Sequence, residues 1–460
     1  MTTGAGAGPE PLDLLIRGCT IVPGGGSDAI IRNGAIGIRA DRLVHVGDDA
    51  PNLSAKRVIE AGGMLAIPGL VNVHTHALLA HSRGMTEDLG FAPAYTPGVP
   101  HAYDVRPDEA VALARLGALE AMLFGSTLIN DMYIHAAETL PAMAELGLRV
   151  SSAVWIHDVD FTRVHEGVFA HDTQTGRRTL EGALDIYRRW HGSHDGRVTV
   201  MLGPHAIETC SRDFLREVAR ARAETDGRVM THLAQSRIET RQVMARDGMT
   251  PAEVVEDAGL LDDRLIAAHC LVMTDSDIAR VGRAGITVAH APKVNMTGGY
   301  LPVTSRLRRA GARVALATDN LHADLIEVMR WALASGRLQE GAVTDFWNAP
   351  TVFRMATADA AAAMGRADDL GSLEVGRKAD LVLVDMRRAH LTPGFDPVAT
   401  LVHTGQGRDV AMVIVDGRIV VEDGRATRVD EERIRREGRD AAFRLWSRVQ
   451  GRSPERVSLG

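Results

Sequence analysis

Two hydrophobic textures divide the 460-residue chain. From about 12 to 62, the stretches LLIRGCTIV, AIIRNGAIGIRA and LVHVG alternate or run apolar between Gly and Asn turns, as short strands do. The same texture returns near the end in ADLVLVDM and AMVIVDGRIVVEDG, whose Asp-Gly pairs suit hairpin turns. Two β-rich ends around a long middle predict one discontinuous β-sandwich domain, over 11–63 and 369–429. Residues 1–10 are expected to be a flexible tail. Residues 430–460, with DEERIRREGRDAAFRLWSRVQ, are expected to form an amphipathic C-terminal helix rich in Arg and Glu.

The middle, 64–368, has another rhythm. Eight apolar runs alternate with helical stretches rich in Ala, Leu and Arg. The runs are MLAIPGLVNVHTH, STLINDMY, RVSSAVWIHD, RVTVMLGPHA, RVMTHLAQ, LIAAHC, GITVAHAPK and RVALATDN. Strands alternating with helices argue for a parallel sheet, and eight units in this length argue for a closed (β/α)8 barrel. Most runs carry His, Asp or Gln near their ends, and the C-terminal strand ends of such barrels hold the chemistry.

Composition narrows the class. The formal charge of −7 lacks the basic footprint of a nucleic-acid binder. No apolar run is long enough for a bilayer span. The start, MTTGAGAGPEP, lacks the basic and apolar segments of a signal peptide. Three scattered cysteines, Cys19, Cys210 and Cys270, fit a reducing compartment without disulfides, so a cytoplasmic location is expected. A small-molecule substrate and a homo-oligomer complete the expectation.

His74 and His76 lie two apart at the end of the first run. Residues i and i+2 of a strand face the same way, so both imidazoles can serve one ion. His232, His269 and Asp319 fall near the ends of the fifth, sixth and eighth runs. Three or four imidazoles with a carboxylate suit Zn²⁺ or Fe²⁺.

These motifs, PGLVNVHTH, HLAQ, AAHC and ATDN in that order, resemble the amidohydrolase superfamily. The branch they are most similar to is that of the cytosine-deaminase-like enzymes, with adenosine-type and guanine deaminases and s-triazine hydrolases. The resemblance runs from about Leu15 to Val420 and includes the return strand GSLEVGRKADLVLVD. It implies that His74, His76, His232 and Asp319 hold one catalytic divalent metal, zinc first and iron second. It implies that His269 holds the hydrolytic water or the substrate oxygen, or adds a ligand, and that His205 contacts substrate. Binuclear members most often bridge two metals with a carboxylated lysine. Only Lys56, Lys293 and Lys378 occur here, and none lies between 56 and 293, so a mononuclear site is expected.

One position departs from the pattern. Deaminases of this branch read HxxE at the fifth strand, whereas this chain has Gln235. Glutamine cannot titrate, so it orients a substrate rather than shuttling protons. Lys293, after the seventh run, is a candidate substrate contact or acid in its place, because an ammonium is compact and titratable where guanidinium is not. His322 and Asp324 are expected at the mouth of the site. His290, His81 and Arg83 are further candidates. Glu239 is expected in a surface ion pair and Cys270 in the core.

The resulting expectation is a metal-dependent hydrolase of non-peptide C–N bonds, with amino-group displacement from an N-heterocycle as the first reading. Amide, urea or carbamate hydrolysis is the alternative that Gln235 favours. A non-catalytic scaffold is the alternative of another class.

Overall fold

A computed structural model of the chain describes residues 11–26, 29–49, 51–89 and 98–449. The expected tail at 1–10, part of the loop at 82–101 and the last residues of the expected C-terminal helix lie outside the described residues.

The N-terminal texture forms β1 (Leu12–Ile21), β2 (Ile31–Arg39), β3 (Arg42–Asp48), β4 (Ala55–Glu60) and β5 (Met64–Pro68). All eight middle runs carry a barrel strand: β6 (Leu70–Thr75), β7 (Ser126–Asp131), β8 (Arg149–Ile156), β9 (Val198–Pro204), β10 (Val229–Leu233), β11 (Leu265–His269), β12 (Thr287–His290) and β13 (Arg313–Leu316). The return segment forms β14 (Leu381–Asp385), β15 (Val410–Val415), β16 (Arg418–Glu422) and β17 (Arg425–Ala426).

Strands β6 to β13 pair in chain order, and every pair is parallel. A bridge between Thr75 and Asp319 closes the ring. There Asp319 N donates to His74 O at 3.1 Å, and His76 N donates to Asp319 O at 2.8 Å. Candidate metal ligands from the first and eighth strand ends therefore share the hydrogen bonds that shut the barrel.

The terminal strands hydrogen-bond as one nine-stranded sheet in the order β17-β16-β15-β14-β5-β1-β2-β3, with β4 paired to β1. One apolar core, including Ile16, Ile36, Ala66, Leu381 and Ile414, gathers residues from both chain ends. The first middle run is split between the two sheets. Its β5 half pairs with β1 and β14 in the terminal sheet, and its β6 half opens the barrel. A Cβ at Gly69 would meet Thr127 Oγ1 at 2.1 Å, so only glycine lets the chain cross there.

A buried ion cluster fastens sheet to barrel. Arg149, first residue of β8, donates to Asp380 at 2.8 and 2.9 Å and to Asp416 at 2.7 Å. The helices outside the barrel start and stop on local signals. Thr274 and Asp277 form a capping box at Asp275–Ala284, and left-handed Gly285 ends it. The C-terminal helix, Glu431–Val449, lies on helix Pro107–Leu123, where Arg448 donates to Glu109 at 2.6 and 2.7 Å. Among the described residues, no helix is long and apolar enough to cross a membrane.

Candidate metal centre

His74, His76 and His232 come together at the C-terminal end of the barrel, as do His74, His269 and Asp319. All are buried. The two rings of the HTH motif sit 4.6 Å apart, edge to face, as one strand face requires. His76 Nε2 lies 3.2 Å from His232 Nε2 and 3.3 Å from Asp319 Oδ1, and His74 Nε2 lies 3.5 Å from the same oxygen.

Those separations are informative. Donors at 2.0–2.1 Å around a tetrahedral zinc ion stand roughly 3.3 Å apart. The outer nitrogens settle the tautomers. His76 Nδ1 donates to Met132 O, and His232 Nδ1 donates to His205 O at 2.5 Å. Each Nε2 then presents a lone pair to the centre. Two lone pairs facing at 3.2 Å repel unless a cation lies between them. His74, fully buried, has no hydrogen-bond partner on either nitrogen among the described residues. The residues fit one divalent ion.

Electrostatics agree. Burial pushes His74 down to about 4 and holds His232 and His269 below the usual histidine range, whereas at His76 the Asp319 carboxylate outweighs burial and raises the ring. Neutral imidazoles are the ligand form. Burial opposes ionisation of Asp319, yet the adjoining His74 and His76 rings keep its carboxyl well below the usual range. Both His269 and Asp319 adopt left-handed backbone, with φ of 74° and 62°. Such residues carry about 1–3 kcal/mol of strain each and persist where the surroundings enforce them.

His205 belongs to the same cluster. Its ring stacks on Trp155 at 3.9 Å, lies 5.1 Å from the His232 ring and contacts Thr209 Oγ1 at 2.8 Å. His269 Nδ1 donates to Asn295 Oδ1 at 3.0 Å. Gln235 is buried, three residues after His232.

Most of the remaining candidates have their own partners. Lys293 pairs with Glu327 at 2.7 Å. His322 is buried beside that pair, with no hydrogen-bond partner on either nitrogen among the described residues. Asp324 caps helix Leu325–Glu340 through Ile326 N and Glu327 N, and also accepts from Gly407 N at 2.8 Å. His81 faces the C-terminal helix, where its carbonyl accepts from Trp446 Nε1 at 2.9 Å. Arg83 is held by Leu321 O and Glu120. His290 contacts Thr304 Oγ1 at 3.1 Å. Cys270 is buried in the apolar core.

The surface ion pair expected for Glu239 is overturned. That side chain is 0% exposed and accepts from Ala234 N at 2.9 Å and Gln235 N at 2.6 Å. The spacing had suggested a helix surface, but the helix begins at Arg237 and its first turn folds under the strand end. Glu208 was missed altogether. It is 1% exposed, and its Oε1 accepts from Gln235 Nε2 at 3.3 Å. The one available signal was a carboxyl three residues after His205.

The family description "Amidohydrolase family" matches residues 65–420. The chain belongs to the amidohydrolase family. This amidohydrolase is 36% identical over 433 residues to a 5-methylthioadenosine/S-adenosylhomocysteine deaminase of Moorella thermoacetica, covering 92% of this chain and 97% of that one. It is 33% identical over 445 residues to a 5'-deoxyadenosine deaminase of Methanosarcina barkeri, covering 95% and 99%. Among solved structures it is similar to a zinc complex of atrazine chlorohydrolase from Arthrobacter aurescens, with a TM-score of 0.81, 25% identity and coverage of 93% and 100%. The amidohydrolase is thus a hydrolase of non-peptide C–N bonds with a divalent-metal centre of the zinc type.

Proposed function

We propose that this amidohydrolase deaminates an N-heterocycle, specifically the purine of an adenosine altered at its 5' position. What carries the reading is the near full-length kinship with two deaminases whose names specify such nucleosides.

His74, His76, His232 and Asp319 would hold the divalent ion, which would supply Lewis acidity and lower the pKa of a bound water toward neutrality. Asp319, anionic beside that position, takes the proton released as the water oxygen bonds to the amino-bearing carbon. His269 places Nε2 where it stabilises charge on the attacking oxygen, because Asn295 occupies its Nδ1 proton. His205, flat on Trp155, offers a wall for a heteroaromatic ring. Lys293, His322 and Gln235 complete this reading as substrate contacts.

A screen of the zinc-loaded enzyme tests it. Ammonia release from 5'-deoxyadenosine, 5-methylthioadenosine or S-adenosylhomocysteine is expected. Turnover confined to aryl amides, ureas and carbamates would instead establish the second reading, for which Gln235 is the supporting observation. A protein that binds no metal and turns over neither set would be a scaffold.

A further inference from the structure

Deamination of a purine needs a proton on the ring nitrogen and another on the leaving amine, and Gln235 can supply neither. Glu208 stands against it. The 3-10 turn that carries Glu208, Ile207–Thr209, is tied to the metal centre by backbone: Ala206 bridges to His232, and His205 O accepts both the N–H and the Nδ1–H of His232. From that turn the buried carboxyl reaches the Gln235 amide at 3.3 Å.

We propose that Glu208 is the proton-carrying acid of this amidohydrolase, doing from the loop after β9 what a carboxyl group at position 235 would do from the loop after β10. The inference rests on the deaminase reading above. In the first step the water oxygen bonds to the amino-bearing carbon, its proton passes to the Asp319 carboxylate, and the Glu208 carboxyl gives its proton to the ring nitrogen. In the second, Asp319 protonates the amine, the C–N bond breaks and ammonia leaves. The new hydroxyl proton returns to Glu208 as the carbonyl forms. Both carboxyls end as they began, and one water is consumed per ammonia released.

The surroundings suit this cycle. Burial raises Glu208 to about 7, near the working pH of a general acid. The groups around it are the Gln235 amide, the buried Glu239 carboxyl, the Cys210 thiol and Arg246, whose Nη2 donates to Ile207 O at 3.0 Å. Two neighbouring buried carboxyls do not both ionise cheaply, so the pair keeps a proton toward neutral pH. Burial and the neighbouring Glu208 hold Glu239 well above the usual carboxylate range too, and its two oxygens accept backbone N–H groups; the pair keeps its proton between them, and Glu208 is the member that reaches Gln235. Gln235 then orients that carboxyl rather than replacing it.

The test compares Glu208→Gln, Glu208→Asp and the exchange variant Glu208→Gln/Gln235→Glu. Zinc content and thermal midpoint are recorded for each. Removing a general acid lowers kcat by about 10²–10⁴-fold. We expect that loss in Glu208→Gln with zinc retained, a smaller loss in Glu208→Asp, and recovery of at least tenfold in the exchange variant. Infrared titration, which needs no turnover, should show a protonated-carboxyl band near neutral pH that Glu208→Gln diminishes. Glu208→Gln with wild-type kcat and pH profile, an unchanged carboxyl band, or an exchange variant as slow as the single one would each overturn the proposal. Failure of the deaminase reading looks different: the wild-type enzyme would then release no ammonia from any of the nucleosides.

Discussion

Asn295 Oδ1 stands 3.0 Å from His269 Nδ1, and the two residues come from different βα units. Asn295 sits on the short helix Pro292–Thr297 after β12, and His269 ends β11 in left-handed backbone. The amide oxygen accepts the ring proton and so fixes which nitrogen is left for the candidate metal centre.

Asn295→Ala should therefore lower kcat/KM by about 10–100-fold without loss of zinc, the usual cost of removing an outer partner of a site histidine. Asn295→Asp keeps an acceptor in place and should retain more activity. Its carboxylate favours the imidazolium, so the acidic limb of the pH–rate profile should move to higher pH. Steady-state kinetics across pH beside metal analysis checks both. Equal kinetics in Asn295→Ala and wild type would remove His269 orientation from the account.

The donor set makes a separate statement. With Nε2 atoms of His76 and His232 converging at 3.2 Å, either ligand removed leaves an incomplete shell. His76→Ala and His232→Ala should bind less than one-tenth of the zinc bound by wild type after dialysis. Chelation should abolish wild-type activity, and added Zn²⁺ should restore it. Full zinc content in His232→Ala would place the ion elsewhere.

How far this site is legible in the sequence depends on the kind of signal. The ligands sit at the ends of strands whose apolar runs stand out, and strand periodicity puts His74 and His76 on one face, so both fold and donors show in one dimension. Asn295, Glu208 and Trp155 act through contacts between different βα units, and no spacing rule links them. Glu239 shows the opposite error. A carboxyl in the first turn of a polar helix looks solvent-exposed, yet the turn tucks beneath the strand end, where backbone N–H groups need an acceptor. The split of the first apolar run was hidden because Pro68 and Gly69 punctuate it without ending its hydrophobicity.

Stability should hinge on Arg149. Its guanidinium serves two carboxylates at 1–4% side-chain exposure, at the end of the barrel away from the metal. Arg149→Met leaves Asp380 buried without its bidentate partner, and Asp416 with Lys378 at 3.2 Å. Breaking such a cluster from one side costs about 3–5 kcal/mol. The thermal midpoint should drop while zinc content and kcat at 25 °C persist. Adding Asp380→Asn should recover part of the loss. A midpoint unchanged in Arg149→Met would mean that the cluster does not clamp sheet to barrel.

His81 gives a pH dependence whose sign follows from its burial against the C-terminal helix. Burial lowers its pKa from 6.5 to about 4. Above pH 6.5 the ring is neutral in both folded and unfolded chains and contributes nothing. As pH falls below 6.5, the unfolded chain takes up a proton that the folded chain refuses, and stability is lost. Below about 4 the folded chain protonates as well, and the loss levels off near 3 kcal/mol in order of magnitude. His81→Phe keeps a buried ring beside Trp446 but cannot titrate. The difference in thermal midpoint between variant and wild type should be constant from pH 8 to 6.5 and should then shift in favour of the variant toward pH 4.5. Comparing the two proteins at each pH cancels the acid sensitivity of the metal ligands, which they share. Parallel curves across that whole range would show that His81 does not enter the acid response.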